Sequence, residues 1–458
     1  MLNKGGRLTR NIPERVVVER WQQLTDRADL NTTDGELIRI IYPGRKNDGR
    51  GADFRDAVIA TSQGIIKGDI EVHVKSSDWQ VHRHHQDPAY NRVRLHVVLW
   101  HDGETATKLH NGETAPILAL DKYLGDTTGP GARLVPSPAS LPCRKTINGL
   151  ASDTLAQLLD SAGEERFGDK ASRFQAQLSQ MEASQCLYQG IMVALGYAQN
   201  KLPMLKLASI LPLNRLHSVT RDKISDQECL ARLQALLLGT AGLLPSQRYD
   251  RRRGYEDDGW LNQLEELWAA YGSTKVMSED EWQMFKVRPN NFPPRRIAAM
   301  SYLILRYRKR GTVAEVVDII KKGAPLSRSY LRLEQGFRVT ADGYWASHFD
   351  FGPDCRTNNP TLIGRWRAAD IAVNVLLPFA LVWGKLNGQP DVERKAVDLY
   401  RGYPRLAANA LERHMIKQLR LNRSLVNSAQ RQQGLIHIYN TLCTQGKCNS
   451  CTLNHIQS

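Results

Sequence analysis

The sequence predicts an α+β protein, with a small mixed α/β domain at the N-terminus followed by a large all-α region. Three observations carry this. Residues 1–145 hold several short runs in which apolar and polar side chains alternate, the pattern of half-buried strands. From about residue 150 the apolar residues recur at spacings of three and four, the pattern of helices. Between the two, residues 125–141 are rich in Gly, Pro, Ser and Thr and read as a linker. At 458 residues the chain is too long for one ordinary core. The reading divides it into an α/β domain over 1–145, a helical domain over 146–340 and a helical C-terminal region over 341–458.

In the first domain, residues 13–24 read as a helix with Val17, Trp21 and Leu24 on one side. Residues 36–41 are a short strand and 43–51 a loop. Residues 57–61 and 66–75 are strands joined around Gln63-Gly64, and 93–100 is a further strand. Helices follow over 153–159, 171–197, 227–238, 260–271 and 297–307. Pro203, Pro212, Pro245, Pro289, Pro293 and Pro294 punctuate them. More helix is expected over 312–322, 361–385, 391–401 and 403–440. The longest apolar stretch, 371–383, contains Asn374 and Pro378 and reads as a buried helix, too short to cross a bilayer.

Seven mostly scattered cysteines and an N-terminus without an apolar signal core lead to the expectation of a cytoplasmic protein without membrane association. The net charge of +15 favours an anionic partner. Residues 284–340 carry 13 Lys and Arg against 3 Asp and Glu, most of that excess. They form either a solvated helical face or a phosphate-binding surface, and nucleic acid is the expected partner. The residues in view are Arg288, Arg295, Arg296, Arg308, Lys309 and Arg310. Asn291 is placed to cap the helix that Arg295 and Arg296 begin, where two cations at a positive helix end require an answering anion or carboxylate.

The chemistry concentrates at residues 69–79, Asp-Ile-Glu-Val-His-Val-Lys-Ser-Ser-Asp-Trp. A strand here puts Glu71, His73 and Lys75 on one face and Ile70, Val72 and Val74 in a core. A carboxylate, an imidazole and an ammonium in one row are costly on an apolar strand unless they bind something. Asp53 begins the preceding strand, and a hairpin brings it to Glu71. Magnesium or manganese needs only two or three carboxylates, because it keeps several waters. Asp53 and Glu71 are therefore the expected ligands, with Glu14 or Glu19 on the first helix as further carboxylates. Lys75 or His73 would position a water aimed at phosphorus. A solvated strand face is the alternative.

Six of the twelve histidines lie between residues 73 and 101: His73, His82, His84, His85, His96 and His101. Zinc is the rival metal, with His82 and His84 on one side of a strand and Asp87 as an oxygen ligand. The chain also carries Cys443-x4-Cys448-x2-Cys451 near residue 458. With Cys355, His455 or His437 as a fourth ligand, it suits a structural zinc. A four-iron cluster on Cys355, Cys443, Cys448 and Cys451 is the second choice, and unligated thiols the third. Cys143, Cys186 and Cys229 read as packing residues.

Several motifs resemble a bacterial family of uncharacterised proteins, a domain of unknown function. They are Gly51-Ala52-Asp53-Phe54-x-x-Ala57, the run Gly68-Asp69 through Asp78-Trp79, His82-x-His84-His85-x-Asp87-x-Ala89-Tyr90 and Leu95-His96-Val97-Val98. Leu236-Leu237-x-Gly239-x-Ala241-Gly242-Leu243-Leu244, Arg288-Pro289-x-Asn291-Phe292-Pro293-x-x-Arg296 and Gln433-Gly434-Leu435-Ile436 extend the likeness over nearly the whole chain. More distantly, Asp53 followed by a strand bearing Glu71 is similar to the restriction-endonuclease-like nuclease fold, marked by Pro-Asp and then Asp/Glu-x-Lys. That resemblance implies magnesium on Asp53 and Glu71, a water-activating lysine and help from Glu14 or Glu19. Ala52 stands in place of the proline, and His73 occupies the lysine's position, with Lys75 two residues on. Gln86-x-x-x-Tyr90 resembles a further element of some such nucleases. The expected function is thus metal-dependent phosphodiester hydrolysis of DNA or RNA; the alternative is a non-catalytic nucleic-acid-binding or scaffold protein on a degenerate nuclease fold.

Overall fold

The alternation at residues 66–75 belongs to a longer strand, Gly64–Lys75, which is the spine of a mixed sheet. The computed structural model describes residues 12–24, 30–47, 49–103, 106–123, 150–220, 224–248, 259–271, 275–322, 325–352 and 358–455. The expected linker at 125–141 lies outside them. The sheet strands are β1 (Leu30–Asn31), β2 (Leu37–Tyr42), β3 (Arg45–Lys46), β4 (Phe54–Thr61), β5 (Gly64–Lys75), β6 (Val93–Trp100), β7 (Ala106–Lys108) and β8 (Thr114–Ala119). Their order is β1-β2-β4-β5-β6-β8-β7, with β3 beside β4.

β2, β4 and β5 form an antiparallel meander, whereas β6 joins β5 in parallel and β8 joins β6 in parallel. The register sets Glu71 opposite His96. A bulge interrupts β4 between Phe54 and Ala57, where Asp56 takes a left-handed φ of 61°. Strands β7 and β8 were not foreseen; β8 is short, carries Pro116, and gives a weak period-two signal.

Helix α1 (Glu14–Leu24) lays Val17 and Trp21 on one face of the sheet, in a core with Phe54, Ile70, Val72, Leu95, Val97 and Leu118. Each large apolar side chain buried there contributes about 1.5–3 kcal/mol. A second, smaller cluster holds Ala52, Trp79, Val93, Leu109 and Ala115, with Tyr90 against it.

The chain divides into two compact units. The first is Met1–Gln157 with Asn409–Leu425 and Leu435–Ser458; the second is Leu158–Ala408 with Val426–Gly434. In the first unit the late segments bind the sheet directly. The Tyr42 hydroxyl lies 2.8 Å from His414 Nε2, and Tyr439 donates to Asp56 Oδ2 at 3.0 Å. Gly446, at a left-handed φ of 66°, seats against Val58, where a Cβ would collide with the valine.

The second unit is helical. Ser152–Leu178, Ala183–Leu195, Asp226–Thr240, Pro293–Tyr307, Leu326–Phe337 and Pro390–Arg401 are its longer helices, the first beginning shortly before the unit does. Its core includes Phe174, Leu187, Leu233, Leu237, Ile297, Leu303, Phe337 and Phe379. Gly163 and Gly434 let backbones approach closely, since a Cβ on either would strike the Gln430 or Leu159 carbonyl oxygen. Two stretches, Asp226–Gln247 and Arg365–Leu386, are long and apolar enough to cross a membrane by length and composition. Their apolar side chains enter the core of this unit. The second stretch contains a π-helical turn at Ala372–Leu376, just before Pro378. Proline has no N–H to offer the carbonyl four residues back, which favours that local change of register.

Candidate metal centre on the polar face of β5

β5 sends Ile70 and Val72 into the core beneath α1, and Glu71 and His73 the other way. Both polar residues are nonetheless buried, Glu71 at 5% exposure and His73 at 1%. A buried carboxylate and imidazole require partners.

Glu71 and Asp53 are joined reciprocally across the hairpin. Glu71 Oε2 accepts from the Asp53 backbone N–H at 2.9 Å, and Asp53 Oδ2 accepts from the Val72 backbone N–H at 3.2 Å. The hairpin therefore brings the two carboxylates together. Lys75 goes elsewhere. Its ammonium is 3.8 Å from Asp102 Oδ2 and more than half exposed. Neither this contact nor the Lys75 backbone N–H, which donates to Asp78 Oδ2, involves the carboxylate pair. The expectation that Lys75 points at that pair is corrected: it is the last residue of β5, and Asp102 and Asp78 just beyond the strand ends engage it.

Histidines fill the space beside Glu71. Trp79 anchors the short helix α2 (Asp78–Val81), its indole N–H donating to the Lys108 carbonyl at 2.9 Å. His82 follows α2, Arg83 takes a left-handed φ of 59°, and His84 begins a 3-10 turn. This turn, rather than the expected strand, brings His82 and His84 to His73. The three imidazoles offer ligand atoms all within 4.8 Å of one another. Among the described residues they are the one such group of three or more His, Cys, Asp or Glu.

The separations have the scale of a coordination shell. His73 Nε2 lies 3.1 Å from His82 Nδ1, 3.6 Å from Glu71 Oε1 and 3.9 Å from Glu14 Oε1. His84 Nε2 lies 3.3 Å from the same Glu71 Oε1. Donors bound tetrahedrally at about 2.0–2.1 Å from one ion stand about 3.4 Å apart. Glu14, at the start of α1, is half-exposed, whereas Glu19 sits exposed further along the helix.

Protonation favours ligation. Burial, followed by the neighbouring His96, His84 and His82, lowers the His73 imidazole to about 2, so it is neutral. Burial, followed by His84 and His101, lowers His96 to about 3. His84 is lowered too, chiefly by burial. Burial and then the Asp53 charge raise the Glu14 carboxyl. Burial, then Glu71, raise the Tyr90 hydroxyl, which remains protonated.

Behind His73 the polar chain continues inward. His73 Nδ1 is 2.9 Å from His96 Nε2, and His96 Nδ1 is 2.7 Å from Thr107 Oγ1. With His73 Nδ1 and His96 Nδ1 protonated, both bonds run inward and His73 Nε2 is left as an acceptor. This is the tautomer a metal ligand needs, held by a buried second layer. The sequence reading passed over Thr107 and gave His96 no role; opposite placement of Glu71 and His96 on parallel strands was the missing link. Tyr90 stacks on His84 with centroids 3.9 Å apart, which places the Gln86-x-x-x-Tyr90 tyrosine at the site. Asp87 does not serve as expected. It accepts from Arg50 at 2.8 Å and from the Ala89 N–H.

A sequence profile described as protein of unknown function, DUF2851, matches residues 14–407. The chain belongs to the DUF2851 family. Comparison with curated proteins and with solved structures returned no match. The matched span runs from Glu14 through the whole histidine centre and on into the second unit.

The remaining expected site residues belong to other elements, the basic ones all within the second unit. Arg295 is 0% exposed, and its guanidinium donates to the carbonyls of Trp345 at 2.7 Å, His348 at 2.5 Å and Asn359. Arg296 is buried and donates to the Leu362 carbonyl and to Asn291 Oδ1, the latter at 2.6 Å. These two are corrected from phosphate contacts to internal ties: the answering groups are carbonyl oxygens and an amide. Asn291 serves Arg296, and Phe292 with Pro293 starts the helix in its place. Arg308 pairs with Asp226 at 2.7 Å, and Arg310 with Glu315 at 3.1 Å. Arg288 and Lys309 are exposed.

Cys443, Cys448 and Cys451 lie in two 3-10 turns and the residue that follows, within the first unit. Their thiols do not form a group of the closeness seen for the histidines. Gln418 donates to Cys443 Sγ at 3.6 Å. Cys355 and the His455 side chain fall outside the described residues.

Proposed function

We propose that the first unit is a metal-dependent phosphodiesterase acting on nucleic acid, with its ion held by His73, His82, His84 and Glu71. The observation that carries this reading is the set of donor separations around Glu71 Oε1 and His73 Nε2, between 3.1 and 3.9 Å. Three imidazoles and a carboxylate suit zinc or manganese better than magnesium, which prefers an all-oxygen shell. A bound divalent ion would supply Lewis-acid polarisation of a phosphoryl oxygen and a more acidic water.

The chain's own residues do the rest. Glu71 Oε2, held by the Asp53 N–H, fixes which oxygen faces the histidines. Glu14, with its raised carboxyl and half-exposed position, takes the proton of the attacking water at a carboxylate oxygen. Tyr90 keeps its proton and can donate a hydrogen bond to a phosphate oxygen. His96 and Thr107 hold His73 in one tautomer. The net charge of +15 draws in a polyanion. The placement of Asp53 and Glu71 on adjacent antiparallel strands accords with the resemblance to nucleases.

Purified protein loaded with manganese or zinc is expected to retain one ion and to cleave DNA or RNA, and Glu71→Gln is expected to do neither. No stoichiometric metal after loading, or equal cleavage by both proteins, sinks the proposal. The pairing of Lys75 with Asp102 favours a second reading, a nucleic-acid-binding protein that does not cleave. It predicts salt-sensitive binding that persists in Glu71→Gln.

A further inference from the structure

A separate concentration of charge lies in the second unit, and cations predominate in it. Arg166 Nε and Lys170 Nζ donate to the same oxygen, Gln433 Oε1, at 2.8 and 2.7 Å. Lys170 also donates to Asn374 Oδ1, on the π-helical turn. Two cations thus share a neutral carbonyl oxygen. Arg173 and Lys201, both exposed, act electrostatically on Lys170, each adding positive charge. Arg367 lies flat over the Tyr197 ring, its Cζ 3.3 Å from the centroid. Its Nε is buried without a hydrogen-bond partner, and its closest carboxylate contact is Asp370 at 3.4 Å.

Among the described residues, none of Lys170, Arg173 and Lys201 has a carboxylate oxygen within 4 Å of its charged nitrogens. Burial and the guanidiniums of Arg166 and Arg173 hold the Lys170 ammonium well below its ordinary range. Burial, with Arg173, lowers Arg166 against the opposing effect of Tyr400 and Asp169, and burial followed by Arg166 and Arg367 lowers Lys201. Asp370 acts on Lys170 and Arg367, and Asp169 on Arg166, so five cations face two carboxylates. Packing that positive excess together costs stability unless an anion completes the group. Arginine forks and a lysine point charge on converging helices are the donor set that recognises phosphoryl oxygens. The π-turn matters because it aims Asn374 at Lys170 and so fixes the ammonium's position.

We infer that Arg166, Lys170, Arg173, Lys201 and Arg367 form a phosphate-binding site in the second unit, independent of the β5 centre. The phosphate is either a free phosphate or pyrophosphate ion or part of a nucleic-acid backbone; the donor chemistry is common to both. The test uses the full chain. Isothermal titration with pyrophosphate and with a single-stranded oligonucleotide is compared at constant ionic strength, with sodium chloride as the control. The exposed pair Arg173→Gln/Lys201→Gln can be changed without touching the core, and Lys170→Met serves as a second variant.

Saturable pyrophosphate binding that weakens at least about tenfold in Arg173→Gln/Lys201→Gln supports the site and assigns it to small phosphates. Oligonucleotide binding that weakens by that factor, with little pyrophosphate binding, supports it and assigns it to a backbone. Binding of both ligands unchanged by either variant, or no binding beyond the chloride control, overturns the inference.

Discussion

The polar face of β5 and the Arg295–Arg296 pair present the same puzzle, charged side chains buried on apolar elements, and resolve it in opposite ways. The arginines are answered from within: Arg295 reaches three backbone carbonyls, and Arg296 one carbonyl and one amide oxygen. At β5, the His73, His82 and His84 nitrogens gather together instead, with one Glu71 oxygen beside His73 and His84. Burial of a polar group is therefore a poor guide to function by itself. What separates a structural tie from a binding site is whether the charge is answered by backbone carbonyls, or whether several groups able to ligate a metal gather at one place.

The sharpest way to break this contrast is to remove one member of each kind. Arg295→Met removes the guanidinium from three carbonyls, one buried and two partly buried, and is expected to cost about 3–5 kcal/mol, read from urea denaturation, with metal stoichiometry unchanged. If it costs nothing, the guanidinium is not a tie.

Acidification separates the two regions next. His73 and His96 have folded values near 2 and 3, below the ordinary 6.5 of the unfolded chain. The unfolded state therefore binds more protons below pH 6.5. Stability from these groups is present above that pH and declines as pH falls towards the folded values. Together they are expected to remove about 2 kcal/mol from the metal-free protein between pH 6.5 and 5.5. Arg296, lowered only to about 10, contributes no slope there. Denaturant midpoints at the two pH values, for the parent and for His96→Gln, would show whether the slope belongs to the histidines.

A gentler change tests the layer behind the centre. Thr107→Val removes the acceptor for His96 Nδ1, and is expected to weaken metal binding about 10–100-fold while all ligands remain. Unchanged affinity by competition with a chelator would dissociate the inner chain from the site. Smallest is Tyr439→Phe, which removes the hydrogen bond to Asp56 and should cost about 1 kcal/mol.

Sequence reading reached the β5 alternation because its period is local: Ile70 and Val72 against Glu71 and His73 is visible in four residues. It also brought Asp53 to Glu71, since a hairpin with a short turn leaves little choice of register. It missed what depends on conformation at a single residue or on distant pairing. The left-handed Arg83 turns His82 and His84 inward, and a non-glycine residue gives no notice of it. Arg295 and Arg296 looked accessible because arginine usually is, yet the residues around them, Pro293, Pro294, Ile297 and Ala298, are all buried. The partnership of Tyr42 with His414 spans 372 residues, which no local pattern records.

That last partnership bears on how the protein is made. The first unit takes in residues 409–425 and 435–458 as well as the N-terminal sheet. During synthesis the sheet leaves the ribosome long before the segments that cover Tyr42, Asp56 and Val58 exist. Translation at about 5–20 residues per second imposes a wait of tens of seconds on an unfinished sheet. The second unit, most of it one continuous stretch, can fold during that interval. The β5 centre then stands on a domain whose last supports arrive only when nearly the whole chain has been translated.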